Sequence, residues 1–347
     1  RPMAPLRRGQ RRRVARSLAP ALALAALALA ALTGCSQESG GERMTIYSGR
    51  SEEFIAPFFE SFSAETGIEL DIRYGDSAAL AAQILEEGKN SPADIFLSQD
   101  AGALGAVAEA GILMGLSESI LSGVPTNFQS PDRDWVGVTG RVRVLAYSPN
   151  RTAELPTSVD ELLDSQWRGR IGIAPTNSSF QAFVTAMIQS RGLQATENWL
   201  SGLVANKPKL FEKNSQIVEA IDSGNIDLGL VNHYYVWEVS EELGREINVK
   251  IAFFAPGDLG NLVNVSGVGI LDSSSKQEIA EELVRFLLSS KIQERFVSET
   301  HEYSLTNPSL RPTDLPALSE ISAPKVDLSE LADLRQTQAL LIKVGLI

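Results

Sequence analysis

The chain is short of the residue types on which many sites depend. Its 347 residues include one cysteine, Cys35, and two histidines, His233 and His301. A lone cysteine excludes an intrachain disulfide and a zinc–cysteine site, and its place near the leader leaves the rest of the chain without a thiol nucleophile. Two histidines give a Ser-His-Asp arrangement few possible bases, and no Gly-x-Ser-x-Gly elbow occurs. No carboxylate pair stands out among the acids, so no enzymatic activity is expected. Positive charge is also scarce. The formal net charge is −12, and setting aside residues 1–34 with their seven arginines leaves 24 basic residues against 43 acidic ones. Such a chain repels phosphate backbones, which excludes nucleic acid as a partner. Its mean field favours cations, while a local basic patch can still seat an anion.

A membrane-spanning run is lacking as well. The Ala/Leu stretch at about 18–32 is shorter than the roughly 20 residues a span needs. It follows Arg7, Arg8, Arg11, Arg12, Arg13 and Arg16 and leads into Leu32-Thr33-Gly34-Cys35. That layout is a secretory signal, with Met3 as its expected start. Its end resembles the lipobox of bacterial lipoproteins. Residues 1–34 are therefore expected to be removed, leaving Cys35 lipidated, with 35–42 as a flexible tether. The expected address is the outer face of the cytoplasmic membrane, or the periplasm, with a lipid as the membrane contact. An exported domain of this size without disulfides rests on its core, and the length suits two lobes.

From Met44 onward, strand and helix patterns alternate, which implies an α/β protein with a covered parallel or mixed sheet. Residues 44–48, 68–74, 93–97, 170–174 and 226–231 read as strands. Helices are expected at 51–66, 77–87, 101–110, 179–190, 196–204, 216–223, 276–288, 292–299 and from about 328. Two longer extended stretches, 135–148 and 262–271, are candidates for strands crossing between lobes. The expected division is 43–141 with 262–315 in one lobe, and 142–261 with 316–347 in the other. Ligands in open α/β sheets sit beyond the carboxyl ends of strands. Polar corners stand at those ends: Gly49-Arg50-Ser51-Glu52-Glu53, Ser98-Gln99-Asp100, Thr176-Asn177-Ser178-Ser179 and Asn232-His233-Tyr234-Tyr235. The third has the chemistry of an anion seat at a helix N-terminus, or of an ordinary Ser/Asn cap.

The tyrosine pair is the most specific feature. A regular strand sends neighbouring side chains to opposite faces. Both phenols can converge only if the backbone changes state there, as at a strand-to-helix junction. Phenols titrate near pH 10, but a highly charged cation can hold a phenolate at neutral pH. Taken alone, the dipeptide reads by default as one core aromatic and one surface aromatic. His233, between the corner asparagine and the tyrosines, is expected to be structural.

The stretches TIYSGRSEE (45–53), YGDSAALAAQILEEG (74–88), SPADIFLSQDAGALG (91–105), RVRVLAYSPN (141–150), PTNSSFQAF (175–183), IDLGLVNHYYV (226–236) and VNVSGVGIL (263–271) resemble a known family. It is that of the ferric-ion-binding proteins, the substrate-binding components of iron(III) ABC importers. The implied fold is a two-lobed clamshell of the type II periplasmic-binding-protein class. The resemblance implies Tyr234 and Tyr235 as phenolate ligands of Fe(III), with a synergistic carbonate or phosphate beside them. It also implies an ABC permease as partner, and a hinging clamshell favours a monomer. Positions matching the family's anion contacts are Asn177, Ser178, Ser179, Asn214 and Asn232, with Arg143 and Arg50 as charge partners. Ser51 and Gln99 stand where some members carry a histidine and a glutamate ligand, and are assigned to the anion side. Glu52 stands where others carry a tyrosine and is the candidate third ligand. The rival expectation is a binding protein of the same fold for thiamine, a polyamine, a phosphonate or an oxyanion, with the tyrosines as stacking or hydrogen-bonding walls.

Overall fold

The computed structural model describes residues 42–332 and 334–347; the leader, the Cys35 motif and most of the tether lie outside the described residues. Among the described residues ten strands form the sheet: β1 (Arg43–Ser48), β2 (Glu69–Tyr74), β3 (Ile95–Ser98), β4 (Trp135–Tyr147), β5 (Ile171–Ile173), β6 (Lys209–Leu210), β7 (Leu228–Asn232), β8 (Lys250–Ala252), β9 (Val263–Ile270) and β10 (Tyr303–Ser304). Their order is β2-β1-β3-β9-β4-β7-β5-β6, with β8 and β10 also paired to β4. β1 pairs in parallel with β2 and β3, and β5 in parallel with β6 and β7. β9 and β4 are antiparallel to their neighbours.

The 13-residue β4 joins these two groups. Its first half pairs with β9 up to Val142 opposite Val263. From Arg143, opposite Asn232, it pairs with β7. At the usual strand rise it spans roughly 43 Å, and it is buried along nearly its whole length. Such length and burial need a near-continuous run of strand formers, which Trp135-Val-Gly-Val-Thr-Gly-Arg-Val-Arg-Val-Leu-Ala-Tyr147 supplies.

Helices cover the sheet where the periodicity predicts them. In Glu52–Thr66, Ile55, Phe58, Phe59 and Phe62 are buried on one face, and Gly67 ends the helix at φ 76°. Phe58 stacks on Phe296 at 4.0 Å between centroids, tying this helix to Ser290–Thr300. The expected last helix is split: a 3₁₀ turn at Leu328–Ala332 precedes a helix at Leu334–Lys343. Strands β6, β8 and β10 escape the sequence pattern because runs of two or three residues have no periodicity to detect. Among the described residues no helix is long and apolar enough to cross a membrane.

Candidate functional site

The four polar corners follow the carboxyl ends of β1, β3, β5 and β7. Gly49 makes the first of them possible: a Cβ there would meet Ser77 Oγ at 1.9 Å, so only glycine lets the turn lie against the start of the helix Ser77–Glu87. A cleft of about 1010 Å³ is lined by residues of all four corners, among them Arg50, Ser51, Glu52, Gln99, Asn177, Tyr234 and Tyr235.

The backbone changes state where the sequence demands it. β7 ends at Asn232, Tyr234 already has helical angles (φ −71°, ψ −18°), and the helix Tyr235–Leu243 begins next. The two rings therefore lie side by side, 4.6 Å between centroids and 37° apart. Tyr234 is buried and also meets Phe54 edge-on at 5.5 Å, while Tyr235 is half-buried. Burial, then the charges of Tyr234 and Glu238, push the Tyr235 phenol well above its ordinary range; Arg141 opposes this. His233 faces away from the pair's role. It is fully buried, accepts from the Val142 amide through Nδ1 at 3.2 Å and donates from Nε2 to the His301 carbonyl at 2.7 Å. Burial lowers it to about 4, so it is neutral and structural at pH 7.

Most of the anion-side residues are tied by hydrogen bonds. Asn177 caps the helix Ser178–Arg191 by accepting from the Ser179 amide at 3.0 Å, and accepts from Asn214 Nδ2 at 3.2 Å. Asn232 Nδ2 donates to Ser179 Oγ at 3.0 Å and reaches the Tyr234 hydroxyl at 3.4 Å. Ser178 Oγ donates to Gln99 Oε1 at 3.4 Å, joining the second and third corners. Arg143 donates to the Leu230 carbonyl at 3.1 Å and to Asn232 Oδ1 at 3.5 Å, and its Nε has no partner among the described residues. Burial lowers it to about 10, with Tyr235 opposing and Arg141 adding to the effect, and it remains cationic.

Arg50 is placed differently from a free anion partner. It lines the cleft, but Nη1 and Nη2 donate to the two carboxylate oxygens of Glu302 at 2.7 and 2.9 Å. Both side chains are buried, 5 % and 0 % exposed. Thr139 and Thr300 donate to the same carboxylate at 3.0 and 2.9 Å. Burial opposes the Glu302 charge, yet Arg50, Arg141 and the Thr300 hydroxyl hold the carboxyl below its ordinary range. Ser51 and Glu52 are exposed at the rim.

Two residues of the site escaped the sequence. Arg141 is 1 % exposed, and all three of its guanidinium nitrogens lack a hydrogen-bond partner among the described residues. It lies within electrostatic reach of Asp100, Arg143, Tyr235 and Glu302. The signal was present, since residues two apart on a strand share a face and Arg143 was already a candidate. The second is Glu238, which lines the cleft with Oε2 buried and without a partner among the described residues. Burial raises its carboxyl to about 7, with Arg50 opposing. Among the described residues no group of three His, Cys, Asp or Glu side chains is set to hold a metal ion. The phenol oxygens of the tyrosine pair are the kind of donor that suits a hard cation.

Comparison with known proteins agrees with this architecture. The bacterial extracellular solute-binding protein family model matches residues 90–325. The chain is 30 % identical over 340 residues to the Fe(3+)-binding periplasmic protein of Serratia marcescens, covering 95 % of this chain and 98 % of that protein. It is 32 % identical to the major ferric iron-binding protein of Neisseria meningitidis serogroup B, covering 92 % and 98 %. The crystal structure of iron-bound HitA from Pseudomonas aeruginosa superposes with a TM-score of 0.83 at 34 % identity, covering 88 % of this chain and 99 % of HitA. The fold is that of the type II periplasmic binding proteins. The chain belongs to the bacterial extracellular solute-binding protein family, alongside members named as ferric-iron-binding proteins, and is not an enzyme.

Proposed function

We propose that this protein captures Fe(III) in the cleft, with Tyr234 and Tyr235 as phenolate ligands, and delivers it to an ABC importer. The observation that carries this reading is the tyrosine pair, its ring centroids 4.6 Å apart, within electrostatic reach of buried Arg141, whose guanidinium nitrogens lack a hydrogen-bond partner among the described residues. Two phenolates alone leave a trivalent ion undercoordinated and positively charged. Carbonate or phosphate fills the remaining positions and meets Arg141 and Arg143 on its other side. A buried unpaired cation costs several kcal/mol, so an anion bridging arginine and metal offsets that cost. Asn177, Ser178, Ser179, Asn214 and Asn232 orient the anion. The relatives named above for ferric iron support the same cargo.

Capture is a hinge motion, with β4 and β9 as the crossing strands and the two proposed lobes closing on the ion. Only differential affinity drives closure, and here the Ser178–Gln99 and Glu241–His301 contacts, at 3.4 and 2.8 Å, span the proposed lobes. The protein works as a monomer, held at the outer face of the membrane by a lipid on Cys35. The variant Cys35→Ala is expected to appear in the soluble exported fraction; retention in the membrane fraction would refute the anchor.

Incubated with ferric citrate and bicarbonate, purified protein is expected to become coloured through phenolate-to-iron charge transfer. Protein that stays colourless would favour an organic or oxyanion ligand, for which Arg141 and Arg143 would be the recognition groups. Because the Tyr235 phenol is raised well above 10, it holds its proton at pH 7 and releases it on metal binding. Affinity therefore rises with pH and falls by at least about tenfold per unit of acidification. Iron competition measured at pH 8, 7 and 6 checks that slope.

A further inference from the structure

We propose that Glu238 is the carboxylate ligand that completes the phenolate site. The inference rests on the iron reading above and names the donor that composition leaves missing. Fe(III) is a hard ion that prefers anionic oxygen, and two phenolates with a small anion leave room for another such donor. The carboxylates around the cleft can be sorted by what they already touch. Glu302 is saturated by Arg50, Thr139 and Thr300. Glu241 accepts from His301 at 2.8 Å. Glu52 and Glu53 lie exposed at the rim. Glu238 alone combines a place on the cleft wall with a buried carboxylate oxygen that has no partner among the described residues.

Its position on the chain fits that task. The helix that begins at Tyr235 is entered through Tyr234, whose carbonyl accepts from the Glu238 amide at 3.1 Å. Residues three and four apart share a helical face, so Glu238 lies one turn beyond both tyrosines on the side they use. Its charge acts on the Tyr235 phenol, and Arg50, whose guanidinium sits 5.0 Å from the Phe54 ring, acts on Glu238. Charge balance supports the same assignment. A trivalent ion with two phenolates, a carbonate and one carboxylate carries about two surplus negative charges. Arg50 is also buried within reach but is taken up by Glu302, which leaves Arg141 and Arg143 to face that charge.

The test is Glu238→Gln, which keeps the size and helix position but removes the anionic donor. In iron-loaded protein the charge-transfer band should move to longer wavelength, because a less negative ligand set makes iron a better electron acceptor. Affinity in citrate competition should fall by about 10–100-fold. Glu238→Asp, which retains a carboxylate on a shorter arm, should give a band closer to wild type, and serves if the first variant fails to fold. A band at the wild-type wavelength in folded Glu238→Gln, or an equal displacement in folded Glu238→Asp and Glu238→Gln, would overturn the assignment. A colourless wild-type protein would instead remove the iron reading on which it stands.

Discussion

Tyr234→Phe and Tyr235→Phe are each expected to remove most or all of the visible colour of iron-loaded protein and to weaken iron binding by more than about a hundredfold. The lower bound follows from the ~10–100-fold cost of disturbing groups that merely orient a metal ligand; losing the ligand itself costs more. Both variants keep the aromatic ring, so the 4.6 Å ring contact and the Phe54 contact survive and the fold should be unaffected. The two are not equivalent in the apo protein. Tyr234 loses its 3.4 Å contact with Asn232, which then keeps Ser179 as its acceptor. Absorbance titration with ferric citrate in bicarbonate checks the prediction, and full colour in either variant would exclude that residue from the metal.

The second large effect concerns Arg141, where stability and function should move in opposite directions. Burying a charge that no hydrogen-bonded partner compensates costs several kcal/mol. Arg141→Met should therefore raise the apo protein's resistance to urea. The same change should abolish the dependence of iron retention on bicarbonate or phosphate, because the cation facing the anion is gone. Denaturation of the apo protein, paired with iron competition at varied anion concentration, measures both. Lower stability together with unchanged anion dependence would show that Arg141 is structural.

Much of this was legible in the sequence where local physics governs. Alternation of strand and helix patterns located the main elements. The length and composition of residues 135–148 marked β4 as a crossing strand, and β4 does change partners at Val142 and Arg143. The requirement for a backbone change at the tyrosine pair was a local argument, and the structure meets it at Tyr234. Long-range pairing was not legible. Arg50 and Glu302 are 252 positions apart, so nothing near Arg50 announced that its charge is matched. Arg141 was overlooked because an arginine inside a buried strand contradicts the usual exclusion of unpaired charge. Local rules fail most often where a ligand supplies the missing partner. Glu238 reads as one more acid on the helix Tyr235–Leu243; Glu241 and Glu242 line the same cleft, and only the buried Oε2 without a partner among the described residues sets Glu238 apart.

The most direct measurement is an anomalous difference map at the iron edge from crystals grown with ferric iron and bicarbonate. A single strong peak bridging the phenol oxygens of Tyr234 and Tyr235, with anion density between it and Arg141, is the predicted result. A peak remote from both phenols, or an organic molecule in the cleft without anomalous signal, would contradict it.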